Sequence, residues 1–321
     1  MLLTSYFLAA LAIALAWPTP LALSKAKWTS RAPVQAVLLW QAIALAGGLS
    51  MIGSMLVWGL SPLGDDLISA LLAGWNLILG QQDAEYPGIV HLFALSTAFL
   101  FALHLVLTLA RAAWRTTRQR AKHRQLLKLL SNPSETRPNT LVLEHDLPVA
   151  YCVPGIAQSV TVLSRGLLTQ LSAEEQAAVI AHESSHLDQR HDLLILAFTA
   201  WHEALPWVPT SKLALEAVRQ LIEMLADDKA LEQVNRKTLL TAIVTVAAAA
   251  ASDPAGMQQP SSTNAAQVGI PGGEVSSRRL KRLLTPEPPL RKPQRGVVLA
   301  CTILLLTCPT VLLIAPRLLV C

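Results

Sequence analysis

His182, Glu183, Ser184, Ser185 and His186 set two imidazoles four residues apart, with a carboxylate directly after the first. On a helix, residues four apart share a face, so both rings can point at one ion. Glu183, one residue on, comes out beside that ion without ligating it. This is the arrangement a zinc hydrolase needs: two neutral nitrogen ligands and a carboxylate placed to take a proton from the attacking water. A solvated polar helix face is the plainer alternative. It fits poorly with the apolar run Ala177-Ala178-Val179-Ile180 just before the pentad, since buried imidazoles and carboxylates need partners.

A catalytic zinc site typically takes three protein ligands plus water. Downstream the candidates are His191, His202, Glu203, Glu216 and Glu223. On a continuous helix His191, nine residues after His182, faces away from it. It suits the helix C-terminus, where positive charge complements the macrodipole. His202 and Glu203 lie in an apolar segment and read as interfacial or internally satisfied polar residues. Glu223 stands in a separate helical stretch, Leu221-Ile222-Glu223-Met224-Leu225-Ala226-Asp227-Asp228. Asp227 shares its face and can accept the free N–H of a ligating histidine, while Ala226 permits close helix approach. An ordinary surface pattern, with Arg219 pairing to Glu223, satisfies the same spacing. Spacing alone leaves both readings open.

The elements that must hold these groups are legible in outline. Ser172 followed by Glu175 predicts a capping box at the start of the pentad helix. Thr140 to Glu144, Val149 to Val153 and Ser159 to Leu163 are short β-rich runs separated by Asp-Leu-Pro and Pro-Gly punctuation, which predicts a small sheet. Ser159 to Leu163 is the candidate edge strand for an extended substrate. Residues 193–205 form an apolar helix broken at Pro206-Trp207-Val208-Pro209, and a polar-capped helix follows from near Ser211 past Gln233. Leu239 to Ala251 is another apolar helix, too short to span a bilayer. Residues 252–275, rich in Ser, Pro, Gln, Gly and Asn, read as a mobile loop. Pro286 to Pro293 reads as a stiff tether.

With 52% hydrophobic and 15% charged residues, the composition lies far from the roughly 25% charged of soluble domains. Cysteines 152, 301, 308 and 321 have no C-x-x-C spacing and suggest no disulfide framework. Charge-free apolar stretches predict transmembrane helices at about 2–23, 33–60 and 88–110, and another from Gly296 to Pro316. Leu67 to Gly80 is apolar but short, which suits an interfacial or re-entrant segment. Lys25, Lys27 and Arg31 form one basic loop, and basic clusters follow the third span (Arg111 to Lys128) and precede the last (Arg278 to Arg295). Asp65, Asp66, Asp83 and Glu85 make the intervening loop acidic. The positive-inside rule then puts the basic segments in the cytoplasm. Topology and anionic lipid headgroups account for the net charge of +5, so no nucleic-acid site is needed. The fold expected is a mainly α membrane protein. Residues 1–110 form a membrane domain with three transmembrane helices, 111–295 a cytoplasmic α+β domain with a small β-sheet, and 296–321 a fourth transmembrane helix with a short outer tail.

The phrases SVTVLSRGLLTQLSAEEQAAVIAHESSHLDQRHD (159–192) and EMLADDKAL (223–231) resemble the β-lactam-sensor and antirepressor (BlaR/MecR) metallopeptidases, peptidase family M fifty-six. More distantly they resemble the HtpX heat-shock and CAAX prenyl proteases. The likeness covers about Leu141 to Leu284. It implies a gluzincin-type metalloprotease fold for 111–295 and one Zn2+ per chain on His182, His186 and Glu223. Glu183 would be the catalytic acid/base, with Asp227 supporting a ligating ring. Further implications are a multi-pass location in a bacterial plasma membrane and a protein or peptide substrate, a winged-helix transcriptional repressor among the possibilities. Regulatory cleavage is the expected role, with HtpX-like quality control of membrane proteins as the alternative. A non-catalytic transducer or scaffold with structural zinc is a third reading, against which the intact Glu183 argues. Arg278 and Arg279 resemble a late family element, although a juxtamembrane charge cluster explains them more simply. The antibiotic sensors continue past their last span into an extracellular penicillin-binding domain, whereas this sequence stops at Cys321, and direct β-lactam sensing is not expected.

Overall fold

The computed structural model describes residues 1–80, 87–134, 137–153, 159–252 and 277–318. Helix α1 (Leu2–Ala16) stops at Trp17, and α2 (Pro18–Lys25) resumes at once. Pro18 and Pro20 explain the break, since proline supplies no N–H and its ring clashes with the preceding turn. Helix α3 (Pro33–Leu60) is uninterrupted, and α4 (Leu67–Ile78) is capped by Asp66, whose carboxylate accepts the amides of Ile68 and Ser69. The apolar segment expected to stop near Ala110 belongs to a longer helix, α5 (Ile89–Leu130). Arg, Lys, Gln and Leu are good helix formers and no Pro or Gly intervenes, so the polarity boundary is not a helix boundary. Helix α12 (Lys292–Leu318) closes the described chain. Leu2–Lys25, Pro33–Leu60, Ile89–Leu127 and Lys292–Ile314 are long and apolar enough to cross a membrane.

The chain divides into two compact units. The first comprises Met1–Leu109, Ala200–Ala217 and Leu290–Cys321. Its centre is α3, where Ala36, Ala42, Ala46, Gly47, Gly48, Ser50 and Gly53 give the buried face a run of small residues beside the larger Trp40, Ile43 and Val57. Small side chains let helix backbones approach closely where lipid offers no hydrophobic drive to associate. Leu15 of α1 lies against Gly47, while Leu8 of α1 and Leu313 of α12 lie against Gly53.

The second unit, Ala110–Thr199 with Val218–Pro289, contains a four-stranded sheet in the order β1-β2-β4-β3. The strands are β1 (Ser131–Pro133), β2 (Thr140–Leu143), β3 (Ala150–Val153) and β4 (Val160–Ser164). β2 and β4 are parallel, and the two outer pairs are antiparallel. The three expected runs are therefore strands, and β1 joins them. The expectation that Ser159 to Leu163 forms an edge is overturned: β4 is interior, paired on both sides, and β3 is the edge beside it. Short α6 (Arg165–Gln170) follows β4. Its second residue is Gly166, where a Cβ would sit 1.9 Å from the Asp146 carbonyl oxygen, so only glycine fits the close approach.

Alternation of side chains across β4 splits the core into two layers. Val162 joins Leu127 of α5 and Val153 on one face. Leu163 joins Ala150, Leu167 and Leu171 on the other, together with Ala178 and Val179 of α7 (Ala173–Asp188) and Leu239, Ile243 and Val246 of α10 (Arg236–Ser252). Leu283 of α11 (Ser277–Leu284) completes that cluster. Between them run α8 (His191–Ala204) and α9 (Pro209–Ala230). Nearly all of the stretch 252–275, expected as a loop, lies outside the described residues.

Candidate metal centre

Helix α7 begins with the capping box its sequence predicts. Ser172 Oγ accepts from Glu175 N at 3.3 Å, and Glu175 Oε2 accepts from Ser172 N at 2.8 Å. Ala178, Val179 and Ala181 bury one side of the helix in the core, which carries His182, Glu183 and His186 inward with it; all three are buried. Helix α9 brings Glu223 and Asp227 to the same place, and α11 brings Arg279.

Three donor atoms converge. His182 Nε2 and His186 Nε2 are 3.4 Å apart; His182 Nε2 lies 3.4 Å from Glu223 Oε2 and His186 Nε2 lies 3.7 Å from Glu223 Oε1. A tetrahedral ion with ligand bonds of about 2.0–2.1 Å separates its donors by roughly 3.3–3.4 Å, so the spacing fits a metal ion. Behind the donors, His182 Nδ1 faces Asp227 Oδ1 at 3.1 Å, and His186 Nδ1 faces His191 Nδ1 at 3.0 Å. A neutral imidazole carries one N–H. With both protons on Nδ1, each Nε2 lone pair is directed at the shared position, and the backing hydrogen bonds fix that tautomer.

Electrostatics agree with this assignment. Burial drives His186 down to about 3, leaving the neutral ring a metal requires. Burial also opposes charge on His182, but its hydrogen bonds to Asp227 and Glu223 outweigh that and hold it up at about 9. Burial works against ionised Glu223 too, yet the hydrogen bond and charge of His182 and the charge of Arg279 keep it at about 2. Asp227 is held well below the usual carboxylate range by His182 and Arg279 against the same burial penalty. Two ionised carboxylates, Asp227 fully buried and Glu223 partly so, thus favour positive charge at the His182 ring, and a divalent cation on the three donors would supply it.

Arg279 is the residue that spacing could not place. Its Nε and Nη2 grip both oxygens of Asp227 at 2.7 and 2.8 Å, and its Nη1 reaches Glu223 Oε2 at 3.1 Å. It is only 6% exposed, which overturns its reading as a juxtamembrane charge. Its neighbour Arg282 binds Asp228 at 2.7 Å and the Met224 carbonyl at 3.2 Å, seating α11 on α9. The pairing of Arg219 with Glu223 gives way to this arrangement.

His191 was expected to face away on a continuous helix. Instead α7 ends at Asp188, Arg190 takes a left-handed turn at φ 49°, and α8 starts at His191 and folds the ring back onto His186. Asp192 anchors this start through Arg120 at 3.0 Å. The remaining candidates, His202, Glu203 and Glu216, belong to the first unit: His202 pairs with Ser211 at 2.9 Å, Glu203 is half-buried, and Glu216 pairs with Lys212 at 3.8 Å on an exposed surface.

The family model for the BlaR1 peptidase M56 matches residues 81–266, more than half of the chain and both site motifs. The chain belongs to that family. Membership makes it a peptidase by descent and agrees with the resemblance carried by the two motifs. Arg279 lies beyond the matched range, so its place rests on the geometry alone.

Proposed function

We propose that the chain is a membrane zinc endopeptidase in which His182, His186 and Glu223 hold one Zn2+ and Glu183 is the general base and acid. The observation that carries this is the convergence of three donor atoms from two helices, each imidazole backed at its far nitrogen. The donor set suits zinc, a borderline ion that takes nitrogen and carboxylate oxygen with equal ease. Bound there, it would supply Lewis-acid polarisation of the scissile carbonyl and acidification of a water molecule. Glu183, beside the three donors, would serve as the base for an attacking water and return the proton to the departing amine. Asp227 keeps the His182 ring oriented, and Arg279 holds the Asp227 and Glu223 carboxylates in register. The free edge of β3 suits an extended peptide. Ser164 N donates to Val149 O at 2.9 Å, so strand alternation directs the amides and carbonyls of Ala150 and Cys152 outward.

The four apolar helices act as spans, and the basic segments after α5 and before α12 put the peptidase unit on the cytoplasmic face of the cell membrane. Cleavage of a repressor or other regulator is the role that family membership favours, and quality control of membrane proteins is the alternative. Proteomes of cells carrying wild type or Glu183→Gln separate the two: one accumulating regulator favours the first, a broad set of membrane fragments the second. The Glu183→Gln variant should keep its zinc and lose proteolysis. Unchanged cleavage would remove the mechanism, and loss of zinc from Glu183→Gln would mean that this carboxylate is a ligand.

A further inference from the structure

The turn between α8 and α9 belongs to the first unit, with the apolar helices rather than the sheet. It touches the apolar stretches of those helices. The Trp201 ring lies where a Cβ on Gly48 would be 3.1 Å from its Cη2, and Gly48 stands fifteen residues after Pro33 and twelve before Leu60 in α3. At 1.5 Å per residue that is about 18 Å from the nearer helix end. The Thr210 hydroxyl donates to the carbonyl of Ala16, inside the apolar stretch Leu2–Lys25. His104 Nε2 donates to the Ala204 carbonyl at 3.1 Å, from a position seven residues, about 10 Å, before the first arginine after the α5 span.

Broken backbone is tolerated at membrane depth only where its polar groups find partners. Pro206 and Pro209 interrupt the helix, and the freed groups are met locally. The Ala204 carbonyl accepts from His104 Nε2. His202 Nδ1 pairs with Ser211 Oγ at 2.9 Å, and that oxygen lies 2.7 Å from the Val208 carbonyl and 3.0 Å from that of Leu205. The amides of Leu205, Val208 and Ser211 donate to Trp201, Leu205 and Val208 carbonyls at 3.0–3.1 Å. The two residues that stand fully exposed are apolar, Pro206 and Trp207, the latter at 69%, while His202, Glu203 and Val208 are half-buried.

We propose that the α8–α9 hairpin, from Trp201 to Thr210, is inserted into the bilayer among the spanning helices, with Pro206 and Trp207 facing lipid acyl chains. The peptidase is then held to the membrane by its own central helices as well as by the spans that flank it. Water offers no reason for a turn so internally satisfied to present a tryptophan, whereas hydrocarbon does. The inference rests on the membrane reading above, and the test separates the two.

The full chain, with its four cysteines replaced by serine, is placed in lipid nanodiscs that leave both faces accessible. Pro206→Cys and Trp207→Cys are each treated with a charged maleimide that does not enter lipid. Phe99→Cys, on an exposed position of the α5 span, is the buried-in-lipid reference, and Glu174→Cys, in the exposed first turn of α7, is the aqueous one. Both hairpin cysteines should react at the Phe99→Cys rate, at least roughly tenfold slower than Glu174→Cys. Reaction of either at the Glu174→Cys rate, with Phe99→Cys protected, overturns the hairpin proposal alone. Rapid reaction of Phe99→Cys overturns the membrane reading and the proposal with it.

Discussion

The two imidazoles of the metal centre are supported in opposite ways. Behind His182 stand charges: Asp227, itself clamped by Arg279 at 2.7 and 2.8 Å. Behind His186 stands a neutral ring, His191, whose own Nε2 is buried with no hydrogen-bond partner among the described residues. A carboxylate raises the basicity of the imidazole it supports, whereas a neutral acceptor fixes the ring with little electronic gain. In the proposed centre two ligands of one chemical type therefore have different duties. The charged side sets how strongly the centre attracts a cation, and the neutral side sets where the second nitrogen points.

The sharpest way to break this contrast is Asp227→Asn. It leaves Arg279 buried with one ionised partner fewer, and removing one member of a buried pair costs about 3–5 kcal/mol. Denaturant resistance of the second unit and metal retention should fall together. A loss no larger than that of His191→Leu would erase the distinction between the sides. Substituting His191→Leu is the next effect: metal affinity, measured by chelator competition, should fall about 10–100-fold. His191→Asn, which keeps an acceptor near the position of Nδ1, should recover most of it. Equal affinities in wild type and the leucine variant would reduce His191 to packing.

The smallest effect is in pH. In the metal-stripped chain, His186 and His191 have native values near 3 and 4, below the ordinary 6.5. Their stabilising contribution is full above pH 6.5 and is lost as pH falls through that window toward 4. His182, raised to about 9, has the opposite sign: its contribution is present below pH 6.5 and is lost as pH rises through 9. Stability should thus decline on both limbs, and His191→Leu should shorten the acid limb alone. A variant that flattens the alkaline limb instead would reverse the assignment of the two sides.

What the sequence discloses about this centre follows the range of its interactions. His182, Glu183 and His186 are legible because one helix turn fixes their relation, and Ser172 with Glu175 shows where that helix starts. Glu223 and Asp227 are half legible: their i,i+4 phase says they share a face, not what the face meets. His191 is hidden because its orientation depends on a left-handed Arg190, a conformation for which arginine carries no signal. Arg279 is hidden among Arg278, Lys281 and Arg282, and only its partner 52 residues away distinguishes it. The i, i+3, i+4 spacing of Leu280, Leu283 and Leu284 in α11 is the one hint that part of this basic stretch packs. In the sheet, β1 escapes because Ser131-Asn132-Pro133 has no strand propensity and is a strand only by pairing with β2. The interior position of β4 is a matter of topology, which alternation along a single strand does not carry.

Glu223 differs from its companions in one further respect: its side chain keeps 34% of its surface open, against 1% for His182 and 3% for His186. The proposed centre is therefore approached past Glu223. Incoming ion, scavenging chelator and peptide all queue at the same doorway, so an occupied cleft would slow the stripping of metal as well as the entry of a second substrate.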